Sequence, residues 1–342
     1  MEQAEQIIPL LGNNNSEFEL SIIIPMYNEE DALPHFFARL RLVLDKMLVS
    51  YEVICVDDGS SDNTARAILN AKKDWDSIRL LRLTKNSGHQ AAITAGYGNC
   101  YGSYAITIDA DLQDPPELIP DMYRKALNEK LDVVYAARND RSSDTWFKRT
   151  SAKFYYRTMR RVAGQQILDN VADYRLISRR VLNVLAQLPE RNRVYRLLIP
   201  WFDFPYGTVH FTREQRIAGK SKYPIYKMLI LTADSIMNFT NIPLRIATFL
   251  GLIGSLISII YVIYLVFVVV GGNTVPGWSS TVLLILFFGV VALLSLGVIG
   301  KYLGRLINNT HNRPAYVVSY DSSKDSSQLG NFEPKKDSDD SE

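Results

Sequence analysis

Short β-rich apolar runs recur through the first part of the chain, at Ser21–Pro25, Tyr51–Asp57, Ile78–Leu83, Tyr104–Asp109 and Asp132–Ala137. Between them lie helical stretches near 30–48, 62–73, 88–100 and 115–129. Such alternation predicts an α/β domain, a largely parallel, Rossmann-like sheet with helices on both faces. Ligands of these sheets sit beyond the carboxyl ends of the strands. The polar clusters fall at those ends: Tyr27-Asn28-Glu29, Asp57-Asp58-Gly59-Ser60 and Asp109-Ala110-Asp111. One crevice can collect all three.

The pattern then changes. Residues 1–17 read as a loose leader broken by Asn and Gly, and 18–222 as one domain whose part from 141 onward is more irregular. Residues 223–244 read as interfacial: Tyr223–Phe239 is apolar yet carries Lys227 and Asp234, which suits a helix lying along a bilayer surface better than a buried one. Within 245–305 two uncharged apolar stretches, about 246–270 and 281–300, are long enough to be transmembrane helices. The loop Gly271–Ser280 has no charge, Arg245 precedes the first span, and Lys301 and Arg305 follow the second. Positive flanks stay inside, so both termini and the α/β domain are expected on the cytoplasmic side of the cell membrane. The tail is 306–342, and its end, rich in Ser, Asp and Lys, is expected to be disordered from Ser319 onward.

Composition adds little. Hydrophobic residues make up 47% and charged residues 22%, and the net charge is +2. Cys55 and Cys100 form neither a disulfide framework nor a zinc spacing, which fits a reducing compartment. No signal peptide is visible at the start. His35, His89, His210 and His311 are scattered without metal spacing, and no nucleic-acid partner is expected.

Chemistry enters with the carboxylates. Asp109 and Asp111, one residue apart at a strand end, can both reach a hard divalent cation such as Mg²⁺ or Mn²⁺, which prefers oxygen ligands and bridges carboxylates to phosphates. Gln113 and Asp114-Pro115-Pro116 follow. In Asp57-Asp58-Gly59-Ser60-Ser61-Asp62 the glycine permits a tight turn, and Ser60 and Asp62 are read as helix caps. Asp57 is placed to accept hydrogen bonds from a nucleotide. There is no GxGxxG after the first strand and no P-loop.

Pro25-Met26-Tyr27-Asn28-Glu29, the DDGS segment and Asp109-Ala110-Asp111 together resemble the inverting family 2 glycosyltransferases, which have an A-type glycosyltransferase fold. Asp109-Ala110-Asp111-Leu112-Gln113-Asp114-Pro115-Pro116-Glu117, Ala218-Gly219-Lys220-Ser221-Lys222-Tyr223 and Gly300-Lys301-Tyr302-Leu303-Gly304-Arg305 with Arg313-Pro314 narrow the resemblance. They resemble the polyprenyl-phosphate glycosyltransferases, which include the dolichyl-phosphate mannose synthases; the two spans match the GtrB-type branch. The resemblance implies that Pro25, Tyr27, Glu29 and Asp57 hold the nucleotide, and that Asp109, Asp111 and Gln113 surround a metal on its diphosphate. It also implies an acceptor-phosphate site, placed here on Arg138, Arg149, Lys220 and Lys222. Asp173 resembles the position that faces the reaction centre; paired only with Arg175 it would be structural.

Seven basic residues and one acid lie between Arg141 and Arg161, and Arg149, Lys153, Arg157 and Arg160 share a helical face. That face suits an anionic membrane surface. The implied reaction is a single in-line transfer of a hexose, with glucose from UDP-glucose preferred, onto a polyprenyl phosphate such as undecaprenyl phosphate. GDP-mannose or an aminoarabinose-type donor stays open, as does a non-catalytic membrane adaptor. A processive polysaccharide synthase is disfavoured by the few spans and the missing QxxRW motif. Gly251 with Gly254 and Gly297 with Gly300 leave room for a homo-oligomer.

Overall fold

The computed structural model describes residues 17–138, 171–188, 190, 193–212, 242–271, 277–310 and 314–324. Leu20 through Met26 are all buried, which makes β1 (Phe18–Met26) a central strand of the sheet. A strand covered on both faces reads as a continuous apolar run. The chain continues through α1 (Leu33–Leu44), β2 (Tyr51–Asp57), α2 (Thr64–Asp74), β3 (Ile78–Leu83), α3 (His89–Asn99) and β4 (Gly102–Thr107). A 3₁₀ turn at Pro116–Leu118 leads into α4 (Ile119–Glu129), then β5 (Val133–Arg138) and β6 (Val171–Ser178). The short helices α5 (Arg179–Ala186) and α6 (Tyr195–Trp201) precede β7 (Tyr206–Phe211).

The eight strands among the described residues stand in the order β7-β5-β6-β4-β1-β2-β3-β8, where β8 is Val318–Asp321. Pairing is parallel between β1 and β2, β1 and β4, β2 and β3, and β5 and β7. It is antiparallel where β6 lies between β4 and β5, and where β8 joins β3. The sheet is therefore mixed, with its parallel core at β3-β2-β1-β4. Two apolar clusters cover its faces. One joins Ile22, Ile24 and Val53 to Phe36, Leu40, Ile68 and Met122 of α1, α2 and α4. The other joins Ile23, Ile54 and Leu81 to Ile93, Leu182 and Leu198 of α3, α5 and α6.

β8 corrects the expectation of disorder from Ser319 onward. Asp321 meets Arg79 of β3 in a two-pronged pair at 2.9 and 2.6 Å, and both side chains are buried. Local composition counts Ser and Asp as polar but is blind to a buried guanidinium 242 positions away. Residues beyond 324, the leader 1–16, and the interfacial stretch at 223–239 lie outside the described residues.

The chain forms two compact units: the sheet with its helices and β8 is one, and the segment holding α7 (Ile242–Val270) and α8 (Trp278–Thr310) is the other. Two stretches of these helices, Ala247–Val268 and Phe287–Gly304, are long and apolar enough to cross a membrane. α8 runs past the expected end near 300, carrying Lys301 inside the helix. A Cβ on Gly254 would stand 3.0 Å from Phe288, so this glycine serves packing between α7 and α8. Gly251, Gly297 and Gly300 have open space around them.

Candidate active site

The carboxyl ends of β1 and β2 are joined first. Met26 pairs with Asp57, and Asp58 N–H donates to the Met26 carbonyl at 2.9 Å. Asn28, at φ 55°, turns the chain, and its N–H donates to Ser60 Oγ at 3.0 Å while its Oδ1 accepts from Ser61 N–H at 2.9 Å. Glu29 N–H donates to Thr64 Oγ1, and Glu30 N–H to Asp62 Oδ2. Ser60 and Asp62 thus tie two loops together. Asp62 also serves the start of α2, its Oδ1 accepting from Thr64 N–H at 3.0 Å, while Asn63 at the cap position makes no cap hydrogen bond with its side chain.

Asp57 and Asp58 divide the work of the second loop. Asp57 is fully buried, accepts from Ser60 N–H at 2.9 Å, and has Arg82 Nε 3.2 Å from its Oδ2. That second oxygen accepts no aligned hydrogen bond from the protein. Burial pushes the Asp57 carboxyl up, against the pull of Ser60 and Arg82. Asp58 accepts from Ser87 N–H at 2.7 Å and Gly88 N–H at 2.8 Å, so it fastens the β3–α3 loop. Gly59 sits at φ +71° where a Cβ would stand 2.6 Å from the Lys85 carbonyl carbon, so only glycine lets these loops meet.

Of the residues assigned to the nucleotide, Pro25 and Asp57 are buried, Tyr27 is 45% exposed and Glu29 is half-buried. All four end up at the β1 and β2 ends.

Asp109 and Asp111 lie on the turn that leaves β4, where Leu112 takes φ 59° and Gln113 N–H donates to Asp111 Oδ1 at 3.1 Å. Gln113 and Asp114 are buried. The Asp109 side chain is 41% exposed. The surrounding protein pushes its carboxyl up; His89 and Arg138 lower it, while Asp111 and Asp173 add to the rise. Arg138, the last residue of β5, has Nη2 3.9 Å from Asp114 Oδ1. Arg149, Lys220 and Lys222 lie outside the described residues.

Asp173, on β6, is held from three elements. Arg175 Nη2 donates to Oδ1, while Gln90 Nε2 donates to Oδ2 at 3.2 Å. His89 Nε2 lies 3.5 Å from the same Oδ2 and 3.8 Å from Asp109 Oδ1, and Arg196 Nη2 lies 4.0 Å away on α6. Burial would raise this carboxyl, but the Arg175 guanidinium, the His89 hydrogen bond and Arg196 outweigh it and hold it well below the usual carboxylate range. Asp173 is therefore more than half of a pair with Arg175.

Sequence reasoning missed His89, Gln90, Arg196, Arg82 and the clamp made by Asp58. The available signal was position, since His89 and Gln90 follow the end of β3 as the other polar clusters follow β1, β2 and β4.

Hard carboxylate oxygens thus gather at the strand ends, as the resemblance to the family 2 glycosyltransferases implies. The model of Glycosyl transferase family 2 matches residues 21–185. The chain belongs to this family, and it is a glycosyltransferase of the GtrB-type polyprenyl-phosphate branch. It is 43% identical to an uncharacterized glycosyltransferase of Synechocystis sp. over 302 residues, covering 88% of this chain and 95% of that one. It is 36% identical to the SfII prophage-derived bactoprenol glucosyl transferase of Shigella flexneri, covering 88% and 97%. A prophage bactoprenol glucosyl transferase homolog of Escherichia coli is 34% identical, covering 88% and 98%. The A-type fold implied by the resemblance is the fold observed.

Proposed function

We propose that this protein transfers a hexose, glucose from UDP-glucose by preference, to a polyprenyl phosphate at the cytoplasmic membrane face. The observation that carries the reaction class is the Asp109–Asp111 turn opening at the same sheet end as Asp57. The glucosyl group and the lipid acceptor are supported by the likeness to the bactoprenol glucosyl transferase of Shigella flexneri. The two apolar helices support residence at a membrane.

The donor set fits a divalent cation. Asp109 and Asp111 offer hard oxygens, and the rise in the Asp109 carboxyl, from burial first and then from its like-charged neighbours Asp111 and Asp173, is what a bound cation would relieve. Among the described residues no group of three His, Cys, Asp or Glu is arranged to enclose a metal. Mg²⁺ and Mn²⁺ keep positions open for substrate phosphates and water, so two carboxylates with Gln113 suffice. When bound, the cation would supply charge neutralisation of the leaving diphosphate.

The chain's own residues do the rest. Asp57 serves as hydrogen-bond acceptor for the base, and Pro25, Tyr27 and Glu29 border the base and ribose. Arg138, with Arg149, Lys220 and Lys222, holds the acceptor phosphate. A phosphate monoester has its second pKa near about 6, so the nucleophile is already ionised at neutral pH. Its oxygen bonds to the anomeric carbon as the bond to the diphosphate oxygen breaks, which inverts the configuration. Asp173 takes no proton in this scheme: its oxygens are engaged by Arg175, Gln90 and His89, so it orients the site as a fixed anion.

The test is a transfer assay on detergent-purified protein with labelled UDP-glucose, undecaprenyl phosphate and Mg²⁺ or Mn²⁺. Label entering the organic phase with metal, but not with EDTA or in Asp109→Asn, is the expected result. Label with another nucleotide sugar only would correct the donor. Failure with every donor in folded protein would favour a membrane adaptor.

A further inference from the structure

The strand that follows the apolar helices in sequence is built into the nucleotide half of the sheet. Thr84 N–H donates to the Val317 carbonyl at 2.9 Å, Ser319 Oγ to the Arg82 carbonyl at 3.1 Å, and Leu80 N–H to Ser322 Oγ at 2.9 Å. Ser322 N–H returns a bond to the Leu80 carbonyl at 3.0 Å. Arg79 holds Asp321 with Nε and Nη2 and reaches the Asn99 carbonyl with Nη1 at 2.9 Å, so the end of α3 is tied in as well. Tyr320 is buried and stands opposite Arg82, next to a register shift between Arg82 and Leu83.

Arg82 is the residue that matters on this edge. Its Nε lies 3.2 Å from Asp57 Oδ2 and its Nη2 donates to the Ser60 carbonyl at 3.0 Å. The β3 end also leads into the loop that Asp58 fastens. Without β8, β3 is an exposed edge strand, and edge strands fray and bend where pairing is lost. The backbone of Arg82 then has no outer partner strand.

We propose that β8 is a clasp for nucleotide binding: the Arg79–Asp321 pair locks it onto β3, and its pairing positions Arg82 and through it Asp57. Arg79, Ser319 and Asp321 are positioning residues and touch no substrate. The inference rests on the reading of Asp57 as the base acceptor.

The test uses full-length protein in detergent, titrated calorimetrically with UDP, and with GDP in parallel, in the presence of Mg²⁺. Variants are Asp321→Asn, Arg79→Asp, Asp321→Arg and the exchanged pair Arg79→Asp with Asp321→Arg. The single variants should weaken binding of the nucleotide that wild type prefers by about tenfold and raise the donor KM alike, the size expected of one coupled buried interaction. At saturating donor kcat should stay within about twofold and the acceptor KM should not move, because no group at the reacting atoms is altered. The exchanged pair should recover most of the affinity. Release of the strand is checked by hydrogen exchange at Leu80 and Thr84. Wild-type affinity in an Asp321→Asn protein whose strand is released would overturn the clasp. A lowered melting temperature with unchanged nucleotide affinity would do the same, since that is the mark of a structural role alone. If Asp321→Asn does not fold, Ser319→Ala removes only the bond to the Arg82 carbonyl and carries the same comparison. Asp57→Asn separates the two readings. Unchanged UDP and GDP binding there sinks the assignment of Asp57, whereas lost binding there beside retained binding in the released-strand variant sinks the clasp alone.

Discussion

His89 Nε2 stands 3.5 Å from Asp173 Oδ2 and 3.8 Å from Asp109 Oδ1, so one imidazole links the amino end of α3 to both β6 and the β4 turn. Its affinity for protons is raised: burial lowers it, but the hydrogen bond to Asp173 and the charges of Asp109 and Asp173 prevail. Two carboxylates from distant parts of the chain are thereby kept in register across the cleft.

His89→Ala should lower kcat by about tenfold, the weight of one charge-assisted hydrogen bond. Because the side chain is 42% exposed, the melting temperature should barely change. His89→Gln keeps a donor and should retain more activity than His89→Ala. Steady-state kinetics on both variants check this, and equal rates for all three proteins would remove His89 from the site.

Asp109→Asn should cost about a hundredfold or more in transfer, the scale of losing a main electrostatic group at a developing charge. The protein should still fold, since the side chain is partly exposed. Circular dichroism alongside the transfer assay separates the two effects, and near-wild-type turnover would refute the metal assignment.

Arg175 is buried to 1% exposure and holds Asp173. Arg175→Met removes the nearest cation and leaves the Asp173 carboxylate to Gln90, His89 and Arg196, which should destabilise the fold by about 3 kcal/mol, the low end for a broken buried pair. Asp173→Asn together with Arg175→Met should recover part of that loss. Denaturant unfolding of the two variants checks it; equal losses would mean the pair is not coupled.

Acid should loosen β8. Burial would raise the Asp321 carboxyl, but hydrogen bonds from Arg79 and Ser323 and the charge of Arg79 bring it down to about 2. An unfolded aspartate titrates near about 3.9. The folded value is the lower one, so the pair contributes its full stability above about pH 4 and loses it as pH falls toward about 2. The melting-temperature gap between wild type and Asp321→Asn should therefore be constant above that range and shrink within it. A gap that persists at the acid end would assign the stability to another group.

The sequence by itself determined the alternation of strands and helices, the crevice at the strand ends, the carboxylate turn at Asp109 and Asp111, and the two apolar helices. Each is a local signal: a run of apolar side chains, a turn glycine, or acids one residue apart. It could not decide the pairings that join distant segments. The antiparallel insertion of β6 between β4 and β5 brings Asp173 to the cleft. The same packing sets His89 and Gln90 of α3 against it, and Arg196 of α6 beside it. β8 is the clearest case. Four residues, two of them Ser and Asp, are too short a strand to stand on their own, and they become one because Arg79, buried on β3, needs a carboxylate and the sheet edge needs a partner. A buried charge is satisfied by whichever group the fold brings within reach, and only the tertiary structure fixes which group that is.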